Sequence, residues 1–153
     1  MASGNVVKVG TWGGNGGTNP WSFAPPGSRI TKITVTSTRD CVYALTFTYV
    51  DSDQIRHVSQ KFGGQAGGGT DETLTFADGE YIVGISGSVG VHYGYTVITS
   101  LTFHGSKNNY GPYGAKSRGT PFSLPVSLGD FVGFYGKYGD FLDSLGVILS
   151  PKI

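Results

Sequence analysis

Two aspartates three residues apart, Asp140 and Asp143, lie in the stretch Gly136-Lys137-Tyr138-Gly139-Asp140-Phe141-Leu142-Asp143-Ser144-Leu145-Gly146, just before the apolar run Leu145 to Leu149. The glycines allow a tight turn, so the stretch reads as a loop feeding a strand. Such a loop can aim backbone N–H groups and one carboxylate into a single small concavity, a mixture of donors and acceptors that suits a polyhydroxylated ligand. The plain alternative for Asp143 is a carboxylate that caps its own turn, a common fate of Asp beside Gly. As a glycosidase pair the two residues are poorly placed, because catalytic carboxyls face each other across a cleft and these share one short loop. His92 is a lone histidine on a polar stretch, which is more often an ordinary surface residue than a base. There is no Gly-x-Ser-x-Gly nucleophile pattern, and three His with one Cys make no ligand spacing for a metal. No catalytic residue, metal or cofactor is expected.

The elements that must position these residues read as strands. Leu45, Phe47 and Tyr49 alternate with Thr46 and Thr48, a period of two that puts the apolar side chains on one face. Asp51-Ser52-Asp53 then turns the chain into Ile55 to Phe62. Further strands are predicted at 6–12, 30–37, 72–76, 81–86, 95–104, 120–126, 130–135 and 144–149. Gly87 to Gly94, carrying His92 and Tyr93, reads as a loop, as do Trp12-Gly13-Gly14-Asn15-Gly16-Gly17, Gly63 to Gly69 and Lys107 to Gly119. No apolar repeat at helical spacing lasts three turns, so essentially no helix is expected. Leu-Thr-Phe recurs at Leu45, Leu74 and Leu101, and Tyr110-Gly111-Pro112-Tyr113-Gly114 echoes Tyr135-Gly136-Lys137-Tyr138-Gly139. That pattern suits a sheet protein of about three similar four-stranded units, closed so that few edges are exposed.

Composition agrees. The chain has 153 residues, which predicts a single domain over 1–153. It contains 26 Gly, 9 Tyr and 9 Phe with only 14% charged residues, a makeup of short strands and tight turns. A net charge of +1 with scattered Lys and Arg gives no footprint for nucleic acid or an anionic membrane. No run of 18 apolar residues predicts membrane insertion. Residues 1–8 carry no basic-then-apolar leader, and the lone Cys41 asks for no oxidising compartment, so a cytoplasmic or nucleocytoplasmic location is expected.

The glycine-rich Trp12 to Gly17, the Tyr110 to Gly114 segment with Gly119-Thr120-Pro121-Phe122-Ser123-Leu124-Pro125, and Gly133-Phe134-Tyr135-Gly136 through Gly146 together resemble jacalin-related lectins, nearly end to end. Within that plant family the chain is similar to the mannose-binding, heltuba-like branch through Thr99-Ser100-Leu101-Thr102-Phe103 and the Gly87 to Tyr93 loop. The resemblance implies an all-β fold, a β-prism of three four-stranded Greek-key sheets with pseudo-threefold symmetry, and a non-catalytic agglutinin for mannose- or glucose-ended glycans. The Gly-x-x-x-Asp motif of the family falls on Gly139 to Asp143. It implies that the N–H groups of Asp140 and Phe141 bind the ring oxygen and O6, that the Asp143 carboxylate accepts from O4 and O6, and that Gly17 supplies a main-chain N–H to O3 and O4. His92 and Tyr93 are expected to wall a second sugar residue.

Galactose-binding members resemble jacalin in being cleaved just before the equivalent of Gly17; here Gly16-Gly17-Thr18 lies within a continuous chain, which favours mannose and glucose. On a second Greek key the corresponding loop is Ser37-Thr38-Arg39-Asp40-Cys41, with Cys41 expected in the place of the accepting aspartate and Gly63-Gly64 as companion loop. A single site per subunit is therefore expected, and crosslinking of glycans then requires a homo-oligomer. Candidate contact surfaces are the edge strands or a flat outer face such as one bearing Val6 and Val147.

Overall fold

The computed structural model describes residues 6–116, 118–127 and 129–151; residues 1–5, part of the stretch read for a leader, lie outside them. The described residues form thirteen strands and no helix: β1 (Val7–Gly13), β2 (Asn19–Phe23), β3 (Arg29–Ser37), β4 (Val42–Val50), β5 (Arg56–Val58), β6 (Phe62–Gly63), β7 (Thr70–Thr75), β8 (Ile82–His92), β9 (Tyr95–Gly105), β10 (Asn109–Gly114), β11 (Thr120–Pro125), β12 (Asp130–Tyr138) and β13 (Leu142–Ser150). They build three antiparallel sheets in the orders β2-β12-β13-β1, β11-β8-β9-β10 and β7-β3-β4-β5, with β6 also paired to β4. Each follows the Greek-key order, in which a hairpin-linked run of strands is joined by a fourth beside the first. In the first sheet the two chain ends are combined, β12 and β13 being completed by β1 and β2. This pairing brings the glycine-rich N-terminal loop beside the Asp140 loop.

The inner strands β13, β9 and β4 all touch one another across the interior, so the sheets are the three sides of a prism. Alternation decides what faces inward. Leu45 and Phe47 of β4, Leu101 and Phe103 of β9, and Leu145 and Val147 of β13 are fully buried. Their register is equivalent, because Leu45, Leu101 and Leu145 pair with Val35, Gly87 and Gly136 of the neighbouring strand. Two members of the Leu-Thr-Phe echo are thus true counterparts. The third, at Leu74 and Phe76, is buried at the margin of β7 instead, and Leu145 to Val147 takes its place. Phe47 stacks on Phe23 at 4.6 Å and on Phe134 at 5.3 Å, contacts worth about 0.5–1.5 kcal/mol each beyond their buried area.

Several elements depart from the expected pattern. β2 and β10 carry Pro20 and Pro112, which argue against a strand interior, and both strands lie at sheet edges, where a missing N–H leaves no ladder bond broken. The predicted Gly87 to Gly94 loop is mostly strand. β8 runs to His92 and only Tyr93-Gly94 turn, while Gly87 sits within the ladder, paired with Leu101 and Phe122, at a place where a Cβ would lie 2.3 Å from the Ser100 carbonyl oxygen and 2.9 Å from the Phe122 ring. The predicted strand 55–62 is broken into β5 and β6, because the Ser59 hydroxyl accepts the Phe47 N–H at 2.9 Å while the Ser59 N–H donates to the Phe47 carbonyl at 2.8 Å. β5 and β6 share one edge of β4, so the third side keeps the four-stranded plan. Val147 points into the core rather than to an outer face; Val6 and Val7 are about half exposed.

Candidate functional site

At one end of the prism the loop between β12 and β13 meets the loop between β1 and β2. The Gly14 N–H donates to the Asp143 carbonyl at 2.8 Å and the Asn19 side-chain amide to the Tyr138 carbonyl at 3.2 Å, which ties the two loops together. The Gly139 N–H donates to the Phe141 carbonyl at 3.1 Å and folds the short turn. Between the loops lies a hollow of about 210 Å³ lined by Gly16, Thr18, Gln65, Tyr95, Gly139, Asp140, Phe141 and Asp143. It is smaller than the roughly 300–1,000 Å³ of sites for drug-sized ligands.

Glycines make room for the carboxylate. A Cβ on Gly17 would stand 3.0 Å from Asp143 Oδ1 and 2.8 Å from the Tyr138 nitrogen, and one on Gly16 3.3 Å from Oδ2. Asp143 is only 4% exposed, and no Lys or Arg among the described residues forms an ion pair with it. Burial raises its carboxyl above the ordinary carboxylate range, the charge of Asp140 adds to the rise, and a hydrogen bond from the Gly139 backbone opposes it. Around it, the N–H groups of buried Gly17, half-buried Phe141 and exposed Asp140 have no acceptor among the described residues; for Gly17 this is unusual, because buried backbone donors are nearly always paired. The arrangement is an acceptor flanked by three vacant donors.

The same corner occurs on each side of the prism. Gly13 pairs with Ser144, Gly63 with Ala44 and Gly114 with Ser100. Each glycine has φ between +90° and +119°, and a Cβ would come within 2.2–2.3 Å of the carbonyl of Asp143, Tyr43 or Thr99. Those three residues are therefore counterparts. Tyr43, not Cys41, holds the position of Asp143 on the second Greek key, because the turn there spans residues 38–41 between paired Ser37 and Val42, one residue longer than the 139–141 turn between Tyr138 and Leu142. Cys41 is fully buried, and burial together with the Asp40 charge pushes its thiol up to about 12. At the third corner Thr99 is spent internally, its hydroxyl donating to the Arg118 carbonyl at 2.9 Å and bonding Ser88 at 2.8 Å.

His92 does not stand open as a wall. It is 9% exposed, its ring lies edge-on to Tyr93 at 4.5 Å and Phe141 at 4.9 Å, and its Nε2 is buried without a partner. Alternation along β8 turns it inward, whereas Tyr93 at the hairpin tip is 82% exposed. Sequence reading missed Gln65 and Tyr95. Tyr95 heads the predicted strand 95–104, but reading 87–94 as one long loop hid the tight Tyr93-Gly94 hairpin that carries it to the hollow; Gln65 reaches the hollow through a contact between sheets, its N–H donating to the Gly139 carbonyl at 3.3 Å, and has no local signal.

Residues 9–148 match the Jacalin-like lectin domain. Horcolin of Hordeum vulgare is 40% identical over 147 residues, which cover 95% of this chain and 97% of that one. The structure of Malaysian banana lectin superposes with a TM-score of 0.85 at 38% identity, covering 97% of this chain and all of that one. A mannose-specific jacalin-related lectin from Morus nigra, solved in complex with mannose, gives 0.84 at 35% identity, covering 98% and 97%. With three Greek-key sheets closed into a β-prism and a match along nearly its whole length, the chain belongs to the family of jacalin-like, carbohydrate-binding lectins.

Proposed function

We propose that the corner at Asp143 binds the mannose or glucose end of a glycan, reversibly and without turnover. The observation that carries this reading is the buried Asp143 carboxylate beside the unengaged N–H groups of Gly17, Asp140 and Phe141. The carboxylate accepts from two neighbouring hydroxyls while the Asp140 and Phe141 N–H groups donate to the ring side of the sugar. Gly17 donates from the opposite loop, where its lack of a side chain keeps the carboxylate accessible. Tyr93 walls the next residue, and His92 props Tyr93 and Phe141 from beneath. The continuous chain through Gly16-Gly17-Thr18 favours mannose over galactose, as does the mannose bound in the Morus nigra relative. Asp140 and Asp143 share a loop rather than facing one another, which supports binding over glycoside cleavage.

Few groups meet a monosaccharide, so affinity is about millimolar, near −4 kcal/mol. Several copies in a homo-oligomer would gain avidity of about 10² to 10⁴ on a branched glycan. The buried, unpaired Cys41 fits a reducing, cytoplasmic location. The test is a calorimetric titration with methyl α-mannoside and methyl α-galactoside in parallel, with product release followed on an aryl mannoside. Saturable mannoside binding with galactoside silent and no aglycone released is expected; galactoside preference, or turnover, overturns the assignment.

A further inference from the structure

The aromatic row beside the Asp143 hollow continues into the second corner of the prism. Phe141 lines the hollow, and its ring stacks at 6.4 Å and 17° on Tyr93 on one side. On the other side the Tyr43 ring meets it edge-on at 5.0 Å. Tyr43 occupies the position of Asp143 in its own sheet and is half-buried. Its companion loop already takes part in the first site, because Gln65 lines the hollow and is hydrogen-bonded to Gly139. Beyond Gln65 the loop runs beside the tyrosine without filling the space around it: a Cβ built on Gly67 would have no neighbour within 4 Å, and one built on Gly68 would stand 3.5 Å from the Tyr43 ring. Both glycines have φ above +80°, a conformation that lets bare backbone flank the ring.

We propose that Tyr43 and Phe141 form an aromatic subsite for the second or third residue of a linear oligosaccharide whose end is held at Asp143. The inference rests on the reading of Asp143 as the sugar-binding carboxylate. Where the first corner offers a carboxylate, the second offers a π-face at the equivalent position, and a sugar ring presents C–H groups to such a face. The second corner thus extends the first site, and the ligand class is a linear oligosaccharide rather than a lone terminal sugar.

The test compares methyl α-mannoside with linear mannobiose and mannotriose on the full chain and on Tyr43→Ala, Tyr43→Phe and Asp143→Asn. The unmodified protein is expected to bind mannotriose about three- to tenfold more tightly than the methyl glycoside, the scale of an aromatic contact. Tyr43→Ala removes that gain and leaves methyl mannoside unchanged, Tyr43→Phe retains it, and Asp143→Asn weakens all three ligands. A mannotriose preference that survives Tyr43→Ala, or an equal loss for all three ligands in that variant, overturns the subsite. Methyl mannoside binding with no gain for mannotriose overturns the subsite alone. Absence of binding to every ligand overturns the Asp143 reading and the subsite with it.

Discussion

Glu80 and Asp143 are buried to the same degree, each 4% exposed, at opposite ends of the prism, and they are treated in opposite ways. Glu80 accepts from the Tyr110 hydroxyl at 2.6 Å, from the Ala77 and Asn108 N–H groups at 2.8 Å and from the Lys107 N–H at 3.2 Å. Burial alone would raise its carboxyl, but those hydrogen bonds outweigh it and hold the group down at about 2. Gly105 lies so close that a Cβ would stand 2.3 Å from its Oε2. Asp143 has the burial without the cradle, and its carboxyl is raised. A carboxylate saturated by its own chain pins two loops together. One left open next to vacant N–H donors is arranged for something that the chain does not supply.

Breaking the open carboxylate gives the largest expected effect. Asp143→Asn removes charge-assisted hydrogen bonds to the ligand worth about 1.5–3 kcal/mol, which carries a millimolar site out of calorimetric range. The melting temperature is expected to hold or rise, because a buried charge is removed; unchanged mannoside affinity would show that the site lies elsewhere. Glu80→Gln is the converse experiment. It lowers the melting temperature and leaves mannoside affinity intact, and loss of binding with a normal melt would break the distinction between the two residues.

The pH responses sharpen the comparison. The Glu80 pKa is depressed in the fold, so its contribution to stability is complete above the ordinary carboxylate value of 4.5 and is lost as pH falls toward about 2. A melting series from pH 6 to 2 is expected to show this acid loss, and Glu80→Gln to flatten it. The Asp143 pKa is raised, so its sign is reversed: the protonated group suits the fold, and stability from this residue declines as pH rises through its folded value. Sugar binding, which needs the ionised form, follows the opposite course and fades on acidification while the protein is still folded. Parallel loss of binding and fold at every pH would remove the contrast.

The smallest effect on the site belongs to Cys41. Cys41→Ser places a hydroxyl in a fully buried position and costs about 1–3 kcal/mol of stability if it finds no partner. Mannoside affinity is expected to stay constant by titration, because Tyr43 and not Cys41 holds the register position of Asp143.

Much of the plan was local and therefore legible. Alternation at Leu45, Phe47 and Tyr49 fixed which face of β4 is buried, since side chains on a strand point to opposite faces in turn. The glycine-flanked Asp140 to Asp143 segment announced a tight loop with a carboxylate, and its order among the other motifs marked the family. The edge strands β2 and β10 were hidden by Pro20 and Pro112, although a proline breaks a ladder only in a sheet interior. The tertiary structure alone decided the rest. Pairing of β1 with β13 put Gly17 against Asp143, one additional residue in a turn moved Tyr43 into register, extension of β8 to His92 turned that ring inward, and closure of the three sheets brought Gln65 to the hollow. These contacts join residues distant in the chain, and their geometry depends on strand register and sheet closure, which no short stretch of sequence specifies.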